Sequence, residues 1–152
     1  MHIEKNVFDN IFNTVMDVKG KTKDNPNARQ DLSVTCSRTQ YQLCLDDRGW
    51  ILKPKAPYTL EREDRMLVLE WVQGLQFPDG YASNLSRCVN LQECKLQGMK
   101  SHDCHVFMQR LLPIAFRDLL PNDIWEAITE LSNFFRDLCA HVLVKENLEN
   151  ME

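Results

Sequence analysis

After Pro121, the apolar residues Ile124, Trp125, Ile128, Leu131, Phe135, Leu138 and Val142 recur at steps of three or four. Only a helix of about 3.6 residues per turn gathers such a set on one side, so this stretch predicts the longest helix of the chain, capped by Asn122. The same period governs the beginning of the sequence. Ile3, Val7, Ile11 and Val15 lie four apart with Phe8 and Phe12 beside them, while Lys5, Asp9, Asn13 and Asp17 face away, together with Glu4. That is an amphipathic helix ending near Gly20. A third begins at Thr59 as the cap, carries Glu61 and Glu63 in its first turn, buries Leu67, Val68, Trp71, Val72 and Leu75, and stops at Gly74.

Shorter elements fill the gaps. KGKTKDNPNARQD holds almost no apolar residue and reads as an exposed linker that re-enters helix around Ala28 to Leu32. YQLCLDDRGWILKPKAP has two apolar runs on either side of DDRG, which predicts a β-hairpin around residues 41–54 with its turn at Asp46 to Gly49; a loop that buries Trp50 and Ile51 is the alternative. A short helix is expected from Ser83 to about Val89. Ser101 is then placed to cap HDCHVFMQRLL with Asp103 in its first turn, Pro113 to interrupt it, and IAFRDLL to form a separate helix ended by Pro121. The expected fold is therefore mainly α, with at most one short hairpin.

Length and composition agree with a folded domain: 152 residues, 43% of them hydrophobic, suffice for a real core. No run of about 18 apolar residues predicts a membrane span, and MHIEKNVFDN lacks the profile of a secretory signal, so the expected location is intracellular, nuclear or cytoplasmic. Six cysteines in such a compartment are expected to be thiols, and none forms a C-x-x-C pair. The net charge of −4 argues against a surface that is basic throughout. Its distribution is uneven, however. From Lys19 to Lys55 there are eight basic against four acidic residues, which makes this stretch the candidate phosphate-contacting surface, with Lys19, Lys21, Lys23 and Arg29 as the contacts.

The densest group of ligand-type side chains is KSHDCHVFMQRLLP, where His102, Cys104 and His105 fall within four residues. As metal ligands they are incomplete. Zinc needs four ligands in a structural site and three plus water in a catalytic one, so the others would come from Cys88, Cys94, Cys139 or His141. The plainer expectation leaves His102 exposed, packs Cys104 or His105 inward, and gives a buried His105 a backbone hydrogen-bond partner. A Cys104 nucleophile served by either histidine is poorly arranged, because neighbours on a helix point in different directions. No P-loop, G-x-S-x-G or G-x-G-x-x-G occurs.

Longer blocks add a resemblance. MHIEKNVFDNI, KGKTKDNPNARQDL, PYTLEREDR and FPDGYASNLSRCVNLQECKLQGMKSHDCHVFMQRLLPIAFRDLLP, in that order, resemble plant CACTA-type (En/Spm-like) DNA transposases across nearly the whole chain. The resemblance implies that residues 1–57 hold the end of an RNase H-like catalytic core plus a basic linker. Residues 58–152 would begin the helical plant domain of unknown function that follows it. His2 then matches the histidine of an Asp-x-x-His signature, and Glu4 is a candidate member of the acidic set. In the family that set binds two divalent metals, and a single carboxylate cannot hold them, so the chain is expected to be a junction piece without transposase activity and without a cofactor. Two functions are compatible with this: a transposon-derived or domesticated fragment that engages a protein partner through its helical second half, or a weak DNA-binding module using the basic 19–55 segment. A zinc-binding domain is the third alternative. No membrane partner is expected.

Overall fold

The computed structural model describes residues 2–36, 38–78 and 80–140. Its elements are mainly helical: α1 (His2–Val15), α2 (Pro26–Thr35), α3 (Arg62–Gly74), α4 (Ser101–Val106), α5 (Leu112–Phe116) and α6 (Asn122–Leu138), with 3₁₀ turns at Thr39–Tyr41 and Leu85–Cys88. Two antiparallel ladders of two residues per strand complete it. In the first, β1 (Cys44–Leu45) pairs with β2 (Ile51–Leu52), Cys44 opposite Leu52; in the second, β3 (Val89–Asn90) pairs with β4 (Lys95–Leu96), Val89 opposite Leu96. No helix among the described residues is long and apolar enough to cross a membrane.

One apolar core runs from Phe8 to Phe135. Phe8, Phe12 and Met16 of the α1 region meet Phe107, Met108, Leu112 and Phe116, and α3 adds Val68, Leu69 and Val72. Four aromatic rings form its centre, with Phe107 5.1 Å from Phe8 and 5.6 Å from Phe12, and Phe116 6.1 Å from Phe12. Such ring pairs add about 0.5–1.5 kcal/mol each beyond the area they bury. Because α1 contributes to the same core as residues 58–140, the division expected at residue 57 does not separate two cores.

The buried stripe of α1 is rotated from the expected one. Phe8, Phe12 and Val15 are buried, Val7 and Ile11 only partly, and Ile3 is 76% exposed. The bulky aromatic side chains outweigh the aliphatic ones in choosing the inward face, and Glu4, one turn before Phe8, goes in with them at 2% exposure. Asn13 is also buried rather than outward, its Nδ2 donating to Asp9 O at 2.6 Å.

Several boundaries move for physical reasons. α3 starts at Arg62 and Thr59 does not cap it, because Leu60 is buried against the core and its N–H donates to Val15 O at 3.0 Å, holding the chain out of helix. Leu67, expected inside, is 55% exposed. Lys100 rather than Ser101 occupies the cap position of α4, where Asp103 accepts from the Lys100 N–H at 3.0 Å and from the Ser83 N–H at 3.1 Å. Burial works to raise the Asp103 carboxyl, but these donors outweigh it and hold it below the usual range. Asn122 makes no side-chain cap for α6, and Pro121 holds the cap position. Leu138 is 52% exposed, and Val142 and His141 lie outside the described residues.

Pro113 does not break the chain into two helices. Phe107–Leu111 form a π turn, in which the Leu112 N–H bonds the Phe107 carbonyl, so α4 runs into α5 without interruption. The extra residue in that turn accommodates a ring that removes one donor and crowds the preceding turn. Trp125 Nε1 of α6 donates to the Pro113 carbonyl at 2.8 Å, locking α6 across this point.

The hairpin has the expected turn. Asp46 Oδ1 accepts from Arg48 N at 2.9 Å and Trp50 N at 2.8 Å, and Gly49 takes φ +79°, a left-handed conformation in which glycine meets no Cβ penalty. It buries neither Trp50 nor Ile51. Val89–Leu96 forms the second ladder in place of the end of the expected 83–89 helix, of which only the Leu85–Cys88 turn is present, capped by Asn84.

Candidate functional site

Two buried polar clusters stand out from the apolar core. The first joins α1 to the α4–π segment. His105 and Gln109 are four residues apart and share a helical face, the arrangement that brings both side chains to Glu4. His105 Nδ1 lies 2.6 Å from Glu4 Oε2, and Gln109 Nε2 donates to Glu4 Oε1 at 3.0 Å and to the Phe135 carbonyl at 3.1 Å. The amide has two hydrogens and both are used there, so its 3.2 Å approach to His105 Nδ1 supplies that nitrogen with no proton. Nδ1 therefore carries its own hydrogen and donates it to Glu4. Cys139 completes the group: its ligand atom and those of Glu4 and His105 all lie within 4.8 Å of one another. The Cys139 N–H bonds Phe135 O at 3.1 Å, the same carbonyl that Gln109 holds, so the end of α6 is positioned by the network it joins.

The three ligand-type residues of the SHDCH motif go to different places. His102 is exposed, with Nε2 3.0 Å from the Tyr81 carbonyl and its ring 6.2 Å from that of His105. Cys104 is fully buried, and burial, with Asp9 contributing, pushes its thiol up to about 11, which leaves it neither a nucleophile nor a ready ligand. His105 alone joins a cluster, and its partner is the Glu4 side chain rather than the expected backbone group. His2 is exposed at the start of α1 and makes no part of it. Of the two candidates from the transposase resemblance, then, Glu4 is built into a site and His2 is not. That site does not fit a two-metal centre: among the described residues, Glu4 is the single carboxylate in a group completed by His105 and Cys139.

The second cluster centres on Arg29, 1% exposed, which removes it from the phosphate-contacting set. Its guanidinium forms an ion pair with Asp24 through Nε and through Nη2 at 2.8 Å, and donates to Tyr41 O at 3.1 Å and Pro54 O at 3.2 Å. It lies 5.0 Å from the Tyr41 ring centroid. Lys53 Nζ reaches Asp24 Oδ2 at 3.3 Å and Asp24 O at 2.8 Å. Burial favours the neutral Asp24, but the Arg29 hydrogen bond and the charges of Lys53 and Arg29 prevail and keep its carboxyl below the ordinary value of 3.8. Burial and the nearby Asp24 push Tyr58 up to about 12. A cleft of about 780 Å³ opens beside this network, lined by Arg29, Tyr41, Tyr58, Pro57 and Ile124.

Lys19, Lys21 and Lys23 remain on the surface of the α1–α2 connection, and no ion pair engages them among the described residues. Sequence reasoning did not foresee the Glu4–His105–Gln109–Cys139 group as a unit. The signals were present separately, as an acid one turn before Phe8 and a polar i, i+4 pair in an apolar helix, but nothing local says that α1 lies against α4. Compared with protein-family models, curated proteins and solved structures, the chain matches none.

Proposed function

We propose that this chain is a transposase-like, transposon-derived piece without cleavage activity of its own that serves as a protein-interaction module in the nucleus. The observation that carries the interaction reading is the β1–β2 hairpin. Leu45, Trp50, Ile51 and Leu52 are 71%, 72%, 65% and 53% exposed on an element whose two strands have only each other for partners. Neighbouring large apolar side chains left in water mark a contact surface, and open strand edges accept a further strand. Exposure this dense favours the hairpin as the docking face over the helical second half, where the exposed apolar side chains Leu67, Ile114 and Leu138 are scattered. The reading without cleavage activity rests on Glu4, which among the described residues is grouped with His105 and Cys139 and not with further carboxylates. The test is capture of partners from nuclear extract by the wild-type chain and by L45S/I51S. Leu45 and Ile51 face each other across the ladder but lie outside the apolar core, so the variant keeps the helical fold, which circular dichroism checks. A partner bound by the wild type and lost by the variant supports the reading; identical capture by both, or none by either, refutes it.

The exposed Lys19, Lys21 and Lys23 favour a second reading, a weak DNA contact through the α1–α2 connection. Three phosphate contacts give a slope of roughly −3 in log affinity against log salt, which triple alanine substitution abolishes. A flat salt dependence excludes it.

A further inference from the structure

We infer that Glu4, His105 and Cys139 form a three-ligand site for a divalent zinc-type metal, held ready by Gln109 and open to solvent at its fourth position. The donor set is the first argument. A carboxylate oxygen, an imidazole nitrogen and a thiol sulfur, all within 4.8 Å, match a borderline-soft ion such as zinc; magnesium and calcium take all-oxygen sites. The number of ligands is the second. Three protein ligands with a fourth position free is the pattern of a reactive or exchangeable zinc, whereas structural sites are closed by four.

The surroundings are the third argument. Glu4 is 2% exposed, and its carboxylate faces no lysine or arginine among the described residues; its charge is met only by a hydrogen bond from His105 and one from the Gln109 amide. A buried carboxylate with so little compensation is costly, and a cation at this point removes the cost. The hydrogen that joins His105 Nδ1 to Glu4 Oε2 occupies the position a metal would take. When the metal enters at Nδ1, the imidazole gives up that hydrogen and takes one up at Nε2, so the proton released to solvent is that of the Cys139 thiol, and Nδ1 and Oε2, now 2.6 Å apart, separate to about 3.3 Å, as two ligands on a tetrahedral zinc must.

Gln109 supplies the outer shell. It holds Glu4 Oε1 while Oε2 faces the site, and its second hydrogen fixes the Phe135 carbonyl, to which the Cys139 backbone is also bonded. One side chain thereby orients ligands from α1 and from the end of α6, the role that outer-shell partners play in metal sites. Cys139 is exposed and His105 is partly so, which gives the ion a path in. The site is distinct from the His102, Cys104, His105 triplet of the sequence: it keeps His105 and takes its other ligands from elements 101 and 34 residues away.

The experiment is a cobalt(II) titration of the full chain, followed by absorbance, with zinc displacement and circular dichroism of every variant. The wild type is expected to bind one equivalent with tetrahedral d–d bands and a thiolate-to-cobalt charge-transfer band, and to release cobalt to zinc. C139S, at an exposed position, should keep the fold and lose the charge-transfer band. C44S, which alters another exposed thiol, should keep it. Q109L should retain the band but bind roughly 10–100-fold more weakly, the effect of losing an outer-shell partner. E4Q should weaken binding without removing the band. The inference is overturned if wild-type protein binds no cobalt, if the band survives in C139S, or if C44S loses it equally.

Discussion

Replacing Asp24 with Asn leaves the Arg29 guanidinium where it is, 1% exposed, without its carboxylate and with only neutral acceptors, the new amide oxygen and the Tyr41 and Pro54 carbonyls. Both side chains of the pair are almost wholly inaccessible, at 0% for Arg29 and 4% for Asp24, so solvent does little to screen the loss. Removing one partner of such a pair costs about 3–5 kcal/mol. Where that cost falls is set by the core. No residue from 19 to 59 belongs to the apolar cluster, which passes from Val18 to Leu60. Residues 24 to 54 are tied down chiefly by the polar bonds of Arg29, Asp24 and Lys53, so D24N opens this segment rather than the whole domain. Hydrogen exchange followed by mass spectrometry reads this directly. Amides of α2 should lose up to roughly 100- to 5,000-fold protection, limited by the segment's own opening energy, while those of α4 to α6 stay within about threefold. The paired replacement D24L/R29M should recover much of the loss, because no buried charge is left behind, though two carbonyls lose a donor. Unchanged exchange in α2, equal losses in α6, or a double variant as damaged as the sum of the singles would refute the polar-clasp account.

Other outcomes follow from the same geometry. Asp24 is held below its ordinary value, so the stability it contributes is complete above the unfolded-state value of 3.8 and disappears as pH falls through the lower folded value; the acid exchange profile of α2 should show this component and D24N should lack it. Phe107→Ala removes the ring that touches both Phe8 and Phe12 and should cost about 3–5 kcal/mol by urea denaturation, with a loss under 1 kcal/mol contradicting its central place. Under brief alkylation at neutral pH, Cys44 and Cys139 should be labelled and Cys88 and Cys104 protected until denaturant is added, as peptide mass spectrometry can check. Of the three tryptophans, Trp50 is 72% exposed, so W50F should remove most of the fluorescence that acrylamide quenches easily.

The mainly helical fold was legible because it rests on periodicity. The α6 stripe from Ile124 to Phe135 and the Asp46–Gly49 turn depend on residues close in sequence, and both formed as expected, though Leu138 at the end of the stripe faces solvent. The failures share a cause. Pro113 looks like a helix end until one knows that a π turn precedes it and that Trp125 holds its carbonyl. Thr59 looks like a cap until Leu60 is seen pinned to Val15. Arg29 looks like a surface cation because nothing in KDNPNARQD says that Tyr41 and Pro54 will turn their carbonyls toward it. In each case a contact distant in sequence overrides a sound local preference.

Glu4 makes the same point for the site and shows what such an override can build. On a helical wheel it falls one turn before Phe8, so any packing that buries Phe8 also draws Glu4 inward. A carboxylate placed there for packing alone would be replaced without penalty by an apolar residue, since a buried charge is rarely the cheapest way to fill space. Here polar side chains from α4 and the π turn meet both of its oxygens instead. His105 and Gln109 are spaced to reach its two oxygens, the Gln109 amide spends its other hydrogen on the carbonyl that also anchors Cys139, and no buried side-chain nitrogen or oxygen among the described residues lacks a partner. E4L therefore separates two accounts of this cluster. If Glu4 is only a structural bridge between α1 and α4, E4L should bind cobalt as the wild type does, or neither should bind it, at whatever stability results. If the cluster is a ligand site, the variant should lose that binding even where it melts no lower than the wild type.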